Sequence, residues 1–333
     1  MNLLMPTGLQ KILAGLLLLA SSFQAVATSY SMPDNPLDSL IGDPLASDFY
    51  TDARYEDTLL DIARRFGMGQ IEILLLNPTV DRWLPGQGTR VRLSNYRLLP
   101  NAPRQGLVLN LPEYRMYYYP PAKSGKSRLV KTFPHGIGRA DWVTPLGQTF
   151  IAEKIKNPTW TPPASIRAEH ALRGDILPAV WPAGPDNPLG QFAMRLGLPG
   201  YLIHGTNKPY GVGMRVSHGC IRMYPEDIEQ LFQEIAIGTP VRIVNQPIKV
   251  GWLKDSLYIE VHPALAETEA EDEDSRITEP SEADYQASLK RARNLIARVN
   301  NRQLPLADNE ILERALKARN GIPVAIYTRQ AQN

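Results

Sequence analysis

The sequence predicts a mainly β chain with some α: a small βααβ unit, a larger β-rich unit and a helical C-terminal extension. Three observations predict it. Between residues 48 and 95, two helix-spaced apolar stripes stand between two extended pieces. From 106 to 245, short β-branched and aromatic runs alternate with Pro/Gly turns. After an acidic, low-complexity run at residues 267–274, inside a linker at 265–281, two more apolar stripes recur at helical spacing.

At the start of the chain, Lys11 precedes an apolar run at residues 12–20, and Ala25-Val26-Ala27 follows. A positive charge, a short apolar stretch and small residues at a cleavage point form a secretory signal over residues 1–27. The run is well short of the ~20 apolar residues that a spanning helix needs, so no stable membrane anchor is expected after cleavage. No cysteine lies near the cleavage point, which excludes lipid attachment there. Residues 28–47 are rich in Ser, Pro, Asp and Gly and read as a flexible lead-in.

In the 48–95 unit, Asp57 or Thr58 caps a helix whose Leu59, Ile62, Ala63 and Phe66 share one face, and Gly67 stops it. A second helix carries Ile71, Leu74 and Leu75 and ends at Asn77-Pro78. Phe49-Tyr50-Thr51 and Thr89-Arg90-Val91-Arg92-Leu93 are the flanking strands. In the 106–245 unit, strands are expected at Leu107-Val108-Leu109-Asn110-Leu111, Arg115-Met116-Tyr117-Tyr118-Tyr119, Tyr201-Leu202-Ile203-His204 and Val241-Arg242-Ile243-Val244. Its one clear helix has Pro225 in the first turn, Ile228, Leu231, Phe232 and Ile235 on one face, and Gly238 past its end. Beyond the linker, residues 282–333 carry one stripe at Leu289, Ala292, Ile296 and Val299 and another at Ile311, Leu312, Ala315 and Leu316. They read as a helical pair.

Charge excludes one class of partner. With 36 Lys and Arg against 34 Asp and Glu, the chain has a net charge of +2 and no basic run, so no nucleic acid is expected. Cysteine usage points to chemistry instead. An exported protein uses cysteines in pairs to staple its fold, yet Cys220 is the only one. A lone thiol in an oxidising compartment is buried and inert, or it is used; its polar neighbours favour use.

A thiol attacks as the thiolate, so it needs a base or positive charge nearby and backbone N–H groups for the developing oxyanion. Ser217-His218-Gly219-Cys220-Ile221-Arg222 supplies these residue types. If the segment is extended, His218, Cys220 and Arg222 share a face. Sixteen positions before Cys220, His204 ends an apolar strand and is followed by Gly205-Thr206; the intervening loop allows the chain to return alongside. Spacing alone does not choose between His204 and His218 as the base. Zinc is the rival reading, because His204, His218 and Cys220 are competent ligands. No further ligand pair accompanies them, and Arg222 beside a cation is unfavourable. His135 and His262 lack such neighbours and read as surface residues, whereas His170 faces the loops around Trp160 and Trp181.

These segments, from Ile203-His204-Gly205-Thr206 through Ser217-His218-Gly219-Cys220-Ile221-Arg222-Met223, are similar to the signature of the YkuD-type L,D-transpeptidase catalytic domain. The similarity extends over residues 106–245 and includes the stretches around Trp160 and Asp186-Asn187. Asp57-Thr58-Leu59, Asn77-Pro78 and Trp83-Leu84-Pro85-Gly86 make the preceding unit resemble a LysM peptidoglycan-binding domain. The combination resembles the Gram-negative periplasmic branch of the family. That resemblance implies a β-sandwich-like mixed-sheet fold, with Cys220 as nucleophile and His204 as proton acceptor and donor. Ser217, His218, Gly219, Arg222 and Gly205 are then supporting or substrate-binding residues, and no metal or cofactor is implied. The implied reaction forms a thioester with a peptidoglycan tetrapeptide stem and passes it to an amine, either a C-terminal lysine of an outer-membrane lipoprotein or another diaminopimelate. Water as acceptor would make the protein a carboxypeptidase. A non-catalytic peptidoglycan-binding protein is the alternative of a different class.

Overall fold

The structure is a computed structural model and describes residues 28–44, 49–122, 124, 127–265, 279–299 and 308–329. The expected signal at 1–27 and the acidic run at 267–274 lie outside the described residues. The described chain opens with β1 (Thr28–Ser31) and β2 (Leu40–Ile41), followed by β3 (Tyr50–Asp52), α1 (Leu59–Arg65), α2 (Gln70–Leu76) and β4 (Arg90–Arg92). Next come β5 (Arg97–Leu98), β6 (Gly106–Asn110), β7 (Arg115–Tyr119), β8 (Leu129–Pro134), β9 (Ile137–Gly138) and β10 (Gly147–Lys156). The site-bearing region holds α3 (Ala164–Leu172), β11 (Phe192–Leu196), β12 (Leu202–His204), β13 (Arg215–Ser217), β14 (Ile221–Arg222), α4 (Pro225–Glu234) and β15 (Pro240–Val244). The last elements are β16 (Ile248–Leu253), β17 (Ser256–Val261), α5 (Glu282–Val299), α6 (Asn309–Ala318) and β18 (Val324–Thr328).

The catalytic unit is one curled sheet, ordered β1-β8-β7-β6-β15-β10-β11-β12-β14. The β6·β15 and β12·β14 pairs are parallel and the others antiparallel, so the sheet is mixed, as expected. Its curl comes from β10, whose first four residues pair with β15 while the remainder pairs with β11, with a register shift between Ile151 and Glu153. A bulge bends a strand; here the bend folds the sheet over a core containing Leu107, Met116, Phe133, Met194 and Ile203. The α4 helix seats Ile228 and Leu231, 1% and 0% exposed, in the same core.

Three expectations need correction. Residues 28–47 are not a flexible lead-in where the structure describes them. Tyr30 and Met32 bury against Val108, Tyr117 and Val130, and β1 pairs with the edge of β8. Nor is the C-terminal extension helical alone. The helices stand at the predicted stripes, but they pack on a three-stranded sheet, β16-β17-β18, whose last strand returns from beyond α6. Finally, His135 and His262 are not surface residues: they are 0% and 7% exposed. His262 Nε2 lies 2.6 Å from Glu260, whose other neighbour, Lys249 Nζ, stands 2.7 Å from Glu260 and 2.9 Å from Glu113. The Lys249 ammonium fills the centre of this carboxylate group, making it a buried charge network.

The βααβ unit has the expected element order. Thr58 caps α1, accepting from the Asp61 N–H at 3.1 Å, while Asp61 accepts from the Thr58 N–H at 3.0 Å. Asp57 instead pairs with Arg65 at 2.7 Å. Asn77 clamps the end of α2 to β4, donating to Arg92 O at 2.9 Å and accepting from Arg92 N at 2.7 Å. The unit is welded to the catalytic sheet. Gln70 N and Ile71 N, in the first turn of α2, donate to Val212 O and Gly213 O at 3.0 and 3.3 Å. Gly213 adopts φ +86°, and a Cβ there would sit 2.6 Å from Gly69 Cα, so only glycine permits this approach. Burial alone would raise the Glu72 carboxyl, but Arg115 and Arg97 hold it below the ordinary carboxylate range.

Buried histidines make stability pH-dependent. Burial pushes the His135 imidazole down to about 4, against a smaller upward pull from nearby backbone carbonyls. The unfolded chain takes up this proton below about pH 6.5 and the folded chain does not, so stability rises with pH between about 4 and 6.5 and is full above. In urea melts across that window, His135→Leu is expected to remove one proton from the slope, about 1.4 kcal/mol per pH unit. An unchanged slope would contradict the burial argument.

Candidate active site

The β12·β14 register builds the site. Ile203 is level with Ile221 and His204 with Arg222. Side chains alternate across a strand, so the two isoleucines, 0% and 1% exposed, enter the core while His204 and Arg222 face the other side together. Cys220 immediately precedes β14, with its Sγ 3.7 Å from Gly200 O and its thiol under the influence of the Leu202 N–H and the Arg222 charge. The loop from β12 to β13 returns the chain as the spacing allowed, and β13 pairs with β9.

The His204 ring is 4% exposed, and its Nδ1 lies 2.5 Å from Gly205 O. A carbonyl only accepts, so Nδ1 carries the proton and Nε2 keeps its lone pair. Burial, then the Arg222 charge, pushes this imidazole down to about 3. Burial also pushes the Cys220 thiol up, although the Leu202 N–H and the Arg222 charge pull it down. At neutral pH the pair is therefore a thiol and a neutral imidazole. Arg222 itself is lowered by desolvation, and its backbone exchanges bonds with Gly136 at 3.1 and 2.7 Å.

The loop before the sulfur is held by its carbonyls. Ser217 Oγ donates to Cys220 O at 2.6 Å, and Thr144 Oγ1 donates to Gly219 O at 2.9 Å. Among the described residues, the N–H groups of Gly219 and Cys220 donate to nothing. Gly219 adopts φ +97°, and a Cβ there would lie 2.9 Å from the Tyr201 ring. Two free N–H groups beside a thiol can receive a developing oxyanion.

His218 stands in a different environment. Its Nε2 lies 2.9 Å from Glu169 on α3, and its ring meets Trp142 edge-on at 5.0 Å and His170 at 6.2 Å. Glu169 also takes a two-pronged contact from Arg139 at 2.9 and 3.0 Å and one from Arg173 at 3.1 Å. The Arg139 bond, and then His218, hold its carboxyl down to about 2. Burial lowers the His218 imidazole while the Glu169 bond raises it. His218 thus spends Nε2 on a carboxylate, whereas His204 keeps Nε2 available.

The α3 helix belongs to an excursion between β10 and β11, closed at its neck by the Asn157 N–H donating to Gln191 O at 2.7 Å. Trp160 and Trp181 pair through their backbones at 2.9 and 2.6 Å, with rings 6.2 Å apart. Asn187, in the polar turn that follows Trp181, is 0% exposed and forms no part of a groove surface. Its amide holds Pro158 O and Pro182 O at 2.8 and 2.9 Å, tying the two tryptophan segments together. Sequence reasoning missed Glu169, Arg139 and Thr144. Only Glu169, beside His170, stood near a residue that had been singled out.

A sequence profile of the L,D-transpeptidase catalytic domain (YkuD) matches residues 104–243. The chain is 40% identical over 274 residues to a protein of Escherichia coli K12 named "Probable L,D-transpeptidase YcfS", a match covering 81% of this chain and 80% of that one. It is 36% identical over 326 residues to "Probable L,D-transpeptidase ErfK/SrfK" of the same organism, covering 96% of this chain and 98% of that one. The second match takes in both flanks of the catalytic unit. Among solved structures, L,D-transpeptidase 3 of Mycobacterium tuberculosis aligns with a TM-score of 0.31 at 20% identity, over 48% of this chain and 67% of that one.

Proposed function

This chain belongs to the L,D-transpeptidase family, and from that premise we propose a two-step acyl transfer on peptidoglycan carried by Cys220 and His204. The observation that supports the reading is that His204 stands level with Arg222, whose charge acts on both His204 and Cys220, with the His204 Nδ1–H tethered to Gly205 O. Cys220 Sγ attacks the carbonyl at the L-centre of diaminopimelate in a tetrapeptide stem, and its proton passes to His204 Nε2. The oxyanion is received by the N–H groups of Gly219 and Cys220. The tetrahedral centre collapses, the C–N bond to the terminal D-alanine breaks, and His204 returns the proton to the leaving nitrogen. An amine then attacks the thioester, gives its proton to His204 and releases the thiol. Arg222 lends positive charge to the developing thiolate, and Ser217 and Gly205 fix the backbone around the two reacting groups.

Because thiol and imidazole rest neutral, the proton moves as the sulfur attacks. The acceptor is an amine held in a groove whose walls are the tied tryptophan segments. A lysine-terminated lipoprotein segment is favoured over a second diaminopimelate. The secretory-type N-terminus supports a periplasmic location, and the βααβ element order supports a LysM-like unit that keeps the enzyme near glycan. Among the described residues, no helix is long and apolar enough to cross a membrane. Incubation with tetrapeptide donor and a lysine-terminated peptide should give a branched adduct by mass spectrometry. Tripeptide acid as sole product would replace transfer by hydrolysis.

Glu169 is a positioning residue in this scheme, clasping the excursion to the catalytic loop through His218. Glu169→Gln is expected to lower kcat/KM about tenfold and to move the His218 limb of the pH profile to lower pH, since the carboxylate raises that imidazole. A unchanged profile would leave Glu169 as scaffold only.

A further inference from the structure

We propose that the groove between α5 and the segments 36–39, 99–104 and 245–251 binds an extended acidic peptide segment of a partner protein. The groove has a volume of about 710 Å3, and among the described residues no Asp or Glu lines it. One face of α5 supplies Lys290, Arg291, Asn294 and Arg298, spaced at one and two helical turns. After Asp284, α5 carries Lys290, Arg291, Arg293 and Arg298 and no carboxylate through Val299, so the helix offers them no partner one turn away. Among the described residues, Lys290, Arg291 and Arg298 make no ion pair. Arg104 also lines the groove, donating to Asp38 O at 2.6 Å and to Ser39 Oγ at 3.4 Å.

The arrangement selects the ligand. Arg291 and Arg298 stand about 10 Å apart along the helix axis, so their charges do not converge on a single small anion. An extended peptide covers that distance in about three residues, which brings carboxylates at such spacing under both cations. Leu99, Ile248 and Val250 give the groove an apolar floor, while the carboxamide of Asn294 offers both the donor and the acceptor that a peptide backbone needs. A planar lipid surface reaches only the rim of a concave groove.

The test is binding of a fluorescent nonapeptide with glutamate at every third position to the full chain at low salt, beside its glutamine counterpart. The glutamate peptide should bind at least about tenfold more tightly, and Lys290→Glu with Arg298→Glu should lose about tenfold. Lys290→Gln with Arg298→Gln should lose less, in the same direction. Both variants should keep tetrapeptide turnover, which shows that they fold and separates this test from that of the catalytic reading. Equal binding of the two peptides, unchanged affinity in both variants, or tighter binding to phosphatidylglycerol vesicles would overturn the proposal. Binding that appears only after residues 266–278 are replaced by Gly and Ser would assign the groove to this chain's own acidic run and overturn it equally.

Discussion

Cys220→Ala is expected to reduce acyl transfer to background, a loss of at least about 10⁴-fold, because the group that forms the thioester is gone. The fold should survive. Cys220 is only partly buried, and the truncation removes one sulfur from a loop whose geometry is held by Ser217 Oγ on Cys220 O and Thr144 Oγ1 on Gly219 O. Cys220→Ser keeps the shape but replaces the thiol with a hydroxyl that is far harder to ionise. It too should be nearly inactive. Steady-state release of D-alanine, read beside thermal melts, separates lost chemistry from lost folding. Turnover within tenfold of wild type in either variant would remove Cys220 from the reaction.

His204→Ala is expected to slow acylation by ~10²–10⁴-fold, the loss typical of a missing general base. The electrostatics add a sharper expectation. Burial and Arg222 hold the His204 imidazole down to about 3, and burial holds the Cys220 thiol above its ordinary value. No thiolate–imidazolium pair rests in the site. Alkylation of Cys220 by iodoacetamide should therefore rise only toward alkaline pH, with a midpoint above that of a free thiol. His204→Ala should leave this profile nearly unchanged while turnover collapses. A preformed ion pair would give the opposite pattern: an acid-side plateau in wild type that vanishes in the variant. If His218→Ala alone alters turnover, the base is His218 instead.

Local signals made much of the fold legible. Pro225, the Ile228-Leu231-Ile235 face and Gly238 bound α4 because its start, stripe and stop are all written within a few residues. The βααβ order is likewise local, from Thr58 to Asn77. The β16–β17 hairpin was missed because Lys249 and Glu260, directly opposite each other in the ladder, are charged residues on buried positions and break the apolar alternation. Their burial depends on Glu113 and His262, which no sequence window brings together. The same reason hid His135. It also hid the weld between α2 and the 207–213 loop: a separable unit was the natural reading, yet Ile71 belongs to the catalytic core. Deleting residues 28–100 would therefore take away Glu72, the partner of the buried Arg115, and open the core at Ile71, and point substitutions are the better probe of that unit.

The site divides the same way. Cys220, His204 and Arg222 were legible because the chain writes them in two short segments, and parallel pairing then sets His204 level with Arg222, two residues after Cys220. Spacing left the choice between His204 and His218 open. The distinction lies in the partners of each ring, Gly205 O for one and Glu169 for the other, and the Glu169 contact requires the excursion between β10 and β11 to fold back over the loop.

Intact-protein mass spectrometry after brief exposure to disaccharide-tetrapeptide, without any amine acceptor and with an acid quench, tests the central claim most directly. The account predicts one disaccharide-tripeptide acyl group per chain, mapped to Cys220, with one D-alanine released per adduct and no adduct on Cys220→Ala. Release of D-alanine with no covalent intermediate, or an adduct that persists in Cys220→Ala, would contradict it.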